Sequence, residues 1–236
     1  MITGIVYFLK SKRRGNKLVM FAEDILQPVL RKNPCCSAWA IQVSSLRPRE
    51  KDFFSRFLPD SKTAVVLGHH ITTKDEWKWY VDEDGSEHCS ADDHAADICG
   101  QIKDALEVQG YRAGIVPYPG ESGLQFRAVA EAAGAGRIGT NVFLLHPQWG
   151  PWIQLRVLAT DALSRYRPVC RGPVCTRCGE CISACPADAI GEDSFDGLQC
   201  RRYRAEKGEY IPSGPERELR YCSICADVCP IGKKPE

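Results

Sequence analysis

The stretch "CTRCGECISACPADAI", residues 175–190, sets four cysteines within eleven positions and follows the last with proline. A shorter run, "CSICADVCP", fills residues 222–230, and Cys200 stands between the two. The spacings are Cys175-x2-Cys178-x2-Cys181-x3-Cys185-Pro186 and Cys222-x2-Cys225-x3-Cys229-Pro230. The chain has 13 cysteines in 236 residues, an odd number that cannot all pair within one molecule. Disulfide scaffolds are also usually much shorter. Close C-x2-C spacing points to bound metal instead.

Three thiolates two residues apart can wrap one corner of an iron–sulfur cubane, because a tight loop aims successive side chains inward. The next cysteine lies a turn further on and faces away; in two-cluster ferredoxins it ligates the other cluster. A following proline leaves one fewer amide hydrogen to satisfy. This crossing rule gives one [4Fe–4S] cluster Cys175, Cys178 and Cys181 with Cys229 from the far run. The second takes Cys222 and Cys225, Cys185 from the first run, and Cys200 as the thiol that completes it. Two zinc sites are the rival reading, but zinc needs neither the third x2 cysteine nor the paired Cys-Pro endings. Cys35, Cys36, Cys89, Cys99 and Cys170 fit neither run and read as buried or idle thiols, Cys99 within a helical pattern.

Apolar residues make up 44% of the chain, enough for a real core, and the net charge of +1 gives no global polyanion footprint. The basic runs "KRR" at 12–14 and "RRYR" at 201–204 read as solvated surface. No apolar stretch approaches the ~20 residues of a membrane helix, and the first residues lack the order of a secretory signal. A cytoplasmic protein without membrane attachment is expected.

Upstream of the cysteines, helices are expected at 20–31 (interrupted or ended near Pro28), at 90–111 (Ser90 as cap, Asp93 completing a capping box) and at 123–136. Strands are expected at 37–43, 62–68 and 112–118, with a hairpin around Asp84-Gly85. "NVFLLH" at 141–146 and "WIQLRVLAT" at 152–160 read as a further hairpin. Alternation of strands and helices up to about residue 163 implies an α/β fold, a layered sheet with flanking helices. Residues 164–236, rich in cysteine, proline and arginine, read as a two-cluster ferredoxin-like module with the cubanes as its core. "GAGRIG" at 134–139 spells G-x-G-x-x-G but follows a helix and precedes a strand, the reverse of a dinucleotide site.

The order of parts resembles the epoxyqueuosine reductases and, more distantly, the reductive dehalogenases. The resemblance rests on "RAVAEAAGAGRIGTNVFLLHPQWGPWIQLRVLATD" at 127–161, on the cysteine framework with its isolated Cys200, and more weakly on "KTAVVLGHH" at 62–70. It implies a cobalamin-binding domain fed with electrons by two cubanes. Gly134, Gly136, Gly139, Thr140 and Asn141 would then approach the corrinoid; for the three glycines, ordinary helix capping and a tight turn are the alternative. Where the reductases carry a proton-donating acid, this chain has Gly120 with Glu121 beside it; their Gly-Lys-Asn is Gly139-Thr140-Asn141, and their helical-repeat extension is missing. These departures argue against tRNA as a partner.

His69 and His70, at the end of a strand, are candidates to donate protons or approach the corrin, with a satisfied loop pair as the alternative. Glu121 is a candidate replacement acid. Trp77, Trp79 and Tyr80 would either cover a macrocycle or pack in a sheet. His88 and His94 hint at zinc but read more simply as a polar loop and helix cap. The expected activity is a cobalamin-dependent reductase or corrinoid-handling oxidoreductase. Its electrons would come from a low-potential donor such as ferredoxin or flavodoxin, and a small molecule or a corrinoid protein would be acted on. The alternatives are an electron-transfer protein serving a partner enzyme, and clusters that only staple the fold.

Overall fold

The computed structural model describes residues 13–14, 17–18, 20–83, 87–165, 174–207, 210–213, 216–219 and 222–236. Cys170 and the Asp84-Gly85 turn lie outside them. In chain order the elements begin with a minimal hairpin, β1 (Arg13–Arg14) and β2 (Lys17–Leu18), then α1 (Ala22–Lys32), β3 (Cys36–Gln42), α2 (Pro48–Phe57) and β4 (Thr63–His70). There follow β5 (Trp79–Val81), β6 (Glu87–Cys89), α3 (Ser90–Val108), β7 (Ala113–Ile115), α4 (Pro119–Ser122) and α5 (Phe126–Ala133). The last are β8 (Arg137–Ile138), β9 (Leu144–Leu145), β10 (Ile153–Thr160), α6 (Glu180–Ser183), α7 (Gly197–Lys207), β11 (Tyr210–Ser213), β12 (Glu216–Leu219) and α8 (Ile224–Asp227).

β4 organises the main sheet. Its sequence TAVVLGHH is apolar at consecutive positions, so both of its faces must be covered. It sits centrally in the order β3-β4-β10-β7, with every pair antiparallel. Ala64 and Val66 face one core with Val157, Phe126, Val129 and Phe54, beneath α2 and α5. Val65 and Leu67 face the other, with Ile98, Ile102 and Leu106 of α3 and Ile25 and Leu26 of α1. The expected layered sheet with flanking helices is therefore found, built entirely from antiparallel pairs. α1 runs through Pro28 rather than ending there.

Two local expectations give way to tertiary packing. β10 does not form a hairpin with residues 141–146: both of its edges are taken, by β4 and β7, while β9 turns back onto β8. Its apolar face needs the middle of the sheet, and Gly139 N–H donating to Phe143 O closes the β8–β9 turn without it. The capping box of α3 is also absent. Cys89 is the N-cap, without a side-chain cap bond. The helix's first-turn acids bind elsewhere: Asp93 meets His88, and buried Asp92 accepts from Gln154 Nε2 at 2.7 Å and Arg156 Nε at 2.8 Å. The polar positions of β10 thus face the α3 side and need a carboxylate there.

The C-terminal cysteine region is fastened to this body at several points. β12 pairs with β5, so β11 and β12 extend the β5–β6 hairpin into a second four-stranded sheet. Ala226 is buried with Trp152, Ile71 and Cys89, and Trp77 and Trp79 pack against that small core. Lys74 pairs with Asp227 and lies over the Trp152 ring at 4.1 Å. At Gly150 and Gly232 the two backbones meet so closely that a Cβ on either would collide with the other segment. Both glycines also have positive φ, 59° and 78°.

Removing one partner of a buried ion pair leaves the other charge uncompensated. Arg156→Met should therefore cost about 3–5 kcal/mol in anaerobic urea unfolding, and adding Asp92→Asn should restore part of the loss. A second outcome concerns the turn before Gly150. Nδ1 of His146 accepts the Gln148 and Trp149 amide hydrogens and must be unprotonated to do so. Burial, then neighbouring His70, push its pKa down to about 4. The unfolded chain therefore binds this proton first, and stability present above the ordinary histidine value of about 6.5 is lost as pH falls toward the folded value. The thermal midpoint should drop across that window, and His146→Asn should flatten the drop.

Candidate metal centre

Three separated stretches bring eight thiols to two hollows. Cys175, Cys178 and Cys181 surround one with Cys229 from the far run, beside Thr140, Asn141 and Ile231. Cys185, Cys200, Cys222 and Cys225 surround the other, a cavity of about 330 Å³ also lined by Phe143, Tyr203, Arg127, Arg201 and Arg204. The loop of the first run turns inward through positive φ at Arg177 (54°) and Gly179 (84°). It then enters the single turn α6, which carries Cys181; α8 presents Cys225 in the same way. α7 carries Cys200.

The residues between the hollows hold them in register. Asn141 is 2% exposed and lines both. Its Nδ2 donates to the Cys225 carbonyl at 3.1 Å, and its Oδ1 accepts from Phe143 N at 3.3 Å. Thr140 Oγ1 lies 3.6 Å from Cys175 Sγ, and the Ala189 amide donates to Cys185 Sγ at 3.4 Å. Burial pushes the Cys175 thiol up, but hydrogen bonds from Thr140 and Arg177 outweigh it and hold the group below the ordinary thiol value. Cys225 lacks such help: burial first, then neighbouring Cys222, Cys200, Cys185 and Cys181, push it up to about 12.

The donor chemistry fits multinuclear iron–sulfur clusters. Each hollow offers four thiols, and the second has no carboxylate or imidazole in its lining. Among the described residues, no three His, Cys, Asp or Glu groups converge closely enough to hold a single ion.

The remaining candidates are scattered. Gly134 caps α5 with φ 83°, and a Cβ at Gly136 or Gly139 would strike Leu145, so these glycines serve the fold's own close packing. Thr140 and Asn141 face the thiols. His69 has both ring nitrogens engaged, Nδ1 with Cys36 Sγ at 3.4 Å and Nε2 with Glu76 at 3.1 Å. His70 stacks on Trp149 at 5.0 Å. Burial lowers the pKa of both imidazoles. Neither histidine lines a thiol hollow. Glu121 lies in α4. His88 bridges Asp82 and Asp93, each at 3.2 Å, as a loop and helix contact. Sequence reading missed Arg127, Phe143 and Tyr203; the signal for Tyr203 was its place three residues after Cys200, one helical turn on.

Residues 174–232 match the 4Fe-4S double cluster binding domain. An epoxyqueuosine reductase of Synechococcus sp. (strain CC9605) is 34% identical over 128 residues, 51% of this chain and 38% of that protein. This chain therefore matches well under half the length of that curated relative. In fold, it superposes on an epoxyqueuosine reductase solved with a tRNA-Tyr epoxyqueuosine-modified tRNA stem loop, with TM-score 0.63 and 18% identity, over 88% of this chain and 64% of that one. It also superposes on a reductive dehalogenase whose structure suggests a mechanism for B12-dependent dehalogenation, with TM-score 0.63 and 18% identity, over 93% of this chain and 33% of that one. No helix among the described residues is long and apolar enough to cross a membrane.

The crossing of the runs is tested by paired substitutions. If Cys185 and Cys200 serve one cluster, the Cys185→Ala/Cys200→Ala protein should keep about half of its iron and sulfide, because one site loses two ligands and the other none. Cys185→Ala/Cys229→Ala should damage both sites. With uncrossed ligands the first pair would disable both. The cysteine-rich tail is thus a double [4Fe–4S] cluster binding domain, carried on the fold that this chain shares with epoxyqueuosine reductases and reductive dehalogenases.

Proposed function

We propose that this chain is an iron–sulfur oxidoreductase, a reductase that delivers electrons through two [4Fe–4S] clusters to a corrinoid. The observation that carries the reading is the pair of four-thiol hollows joined through Asn141 against the sheet domain. The similarity to reductases supports the direction of electron flow, and the fold likeness to a reductive dehalogenase is what suggests a corrinoid as acceptor. When bound, clusters of this type transfer single electrons at low potential, and a corrinoid supplies the reactive metal that the side chains lack.

The chain's own residues prepare that transfer. Cys175, Cys178, Cys181 and Cys229 would hold one cluster; Cys185, Cys200, Cys222 and Cys225 would hold the other. Thr140 and the Ala189 amide direct hydrogen bonds at thiolate sulfur, which favours the charged ligand. Phe143 and Tyr203 place aromatic rings in the wall of the second site. A groove of about 270 Å³ runs past Gly139, Thr140, Cys175, Arg177 and Gly191. It is too small to enclose the corrin ring, so no step is assigned to a resident corrinoid. That shortfall favours the second reading, in which the electrons pass to a partner, including a separate corrinoid protein.

Anaerobic titration of the cluster-loaded protein with cob(II)alamin separates the two readings. Saturable binding with a changed visible spectrum, followed by cobalt reduction when dithionite is added, is the expected result. Absence of binding, with both clusters present and reducible, would leave the electron-transfer reading in its place.

A further inference from the structure

Arg127 reaches the second thiol cavity from the sheet domain. It belongs to α5, and it lines the hollow together with Cys185, Cys200, Cys222 and Cys225. The fold half-buries it. Its Nη1 donates to the Val142 carbonyl and its Nη2 to Gln125 Oε1 at 3.5 Å, both neutral acceptors. Among the described residues no carboxylate pairs with it, although burial disfavours its charge and lowers its pKa. Arg156, also well covered, has Asp92 as its partner.

The guanidinium is also fixed in place. Val142 has φ 57°, a conformation that a β-branched residue keeps only where the surrounding structure imposes it. The bond to its carbonyl ties Arg127 to the turn that carries Thr140 and Asn141. Nearby arginines are placed differently. Arg201 lines the same cavity but is exposed, and Arg177, beside the first hollow, is exposed and paired with Asp193 at 3.2 Å. Water screens both of these charges. A clamp on the turn would account for the two hydrogen bonds of Arg127. It would not account for a covered cation left without a counter-ion in the wall of a cavity. Four thiolates around a cluster supply that counter-ion. Such a site is anionic and becomes more so on reduction, so a fixed, poorly solvated cation beside it favours the reduced form.

We infer that Arg127 is a built-in counter-charge that raises the reduction potential of the cluster held by Cys185, Cys200, Cys222 and Cys225. This rests on the two-cluster reading above. The reduction it favours adds one electron from an external low-potential donor; no bond forms or breaks and no proton moves.

The test is an anaerobic redox titration of the full chain with both clusters, using dithionite and following each cluster by its electron paramagnetic resonance. Arg127→Gln keeps an N–H donor but loses the charge, and Arg127→Lys keeps the charge. Arg127→Gln should lower the one-electron reduction constant of one cluster roughly tenfold, a fall of about 59 mV, and leave the other cluster in place. Arg127→Lys should titrate close to wild type. In the Cys185→Ala/Cys200→Ala background, Arg127→Gln should shift nothing. An unshifted Arg127→Gln protein, equal shifts in both variants, or a shift that persists in that background would each overturn the inference. Loss of half the iron in Arg127→Gln but not in Arg127→Lys would support it, because the charge then holds the site together. The same loss in both variants would overturn it and assign Arg127 to packing of the turn. Fewer than two clusters in the wild-type protein, by iron and sulfide analysis, would instead defeat the underlying reading, and that result is seen before any titration.

Discussion

Thiols resist being crowded together away from water, and this constraint governs the C-terminal region. Burial disfavours the thiolate, and each neighbouring sulfur disfavours it further, as the rise of Cys225 to about 12 records. Iron can reverse that balance, because a coordinating metal takes up the charge that the protein interior will not. Ligand convergence and metal loading therefore stabilise each other. Drawing each set of four from more than one stretch ties residues 175–185 to residues 222–229 through the clusters themselves.

The remaining fastenings make this cross-linked region one body with the sheet domain. The meeting of Gly150 with Gly232, the burial of Ala226 beside Trp152, and the pairing of β12 with β5 all join residues beyond 200 to residues before 160. Asn141 is the point where the two halves are read together: buried, it hydrogen-bonds the backbone beside Cys225 while lining both thiol sites. An electron path needs such fixed spacing, since a hinge between donor and acceptor would change their separation.

The two sites differ in surroundings. The Cys175 site is small, with hydrogen bonds to its first sulfur, and it borders the open groove. The Cys200 site is roomier and has arginines in its wall, with α7 outside it. Positive charge and hydrogen bonding both stabilise a reduced cluster, while solvent exposure changes its dielectric. The environments thus set apart two clusters of the same kind, with one site toward the groove and the other toward the exposed helix.

Much of this was legible in the amino-acid order. Cysteine spacing alone implied the metal type, and the apolar runs at 62–68 and 152–160 marked strands that must be buried, because side-chain chemistry and period are local properties. Which edges β10 would use, and which basic residue would meet Asp92, were not local. They depend on how the faces of distant elements close on one another. The same holds for Gly136 and Gly139: their small size was evident, but the close neighbour at both is Leu145 of the same chain. The amino-acid order by itself determined the donor atoms and the core-forming segments. Only the tertiary structure decided which edges β10 pairs along and which basic residue meets Asp92, because both follow from long-range packing that no short window of sequence contains.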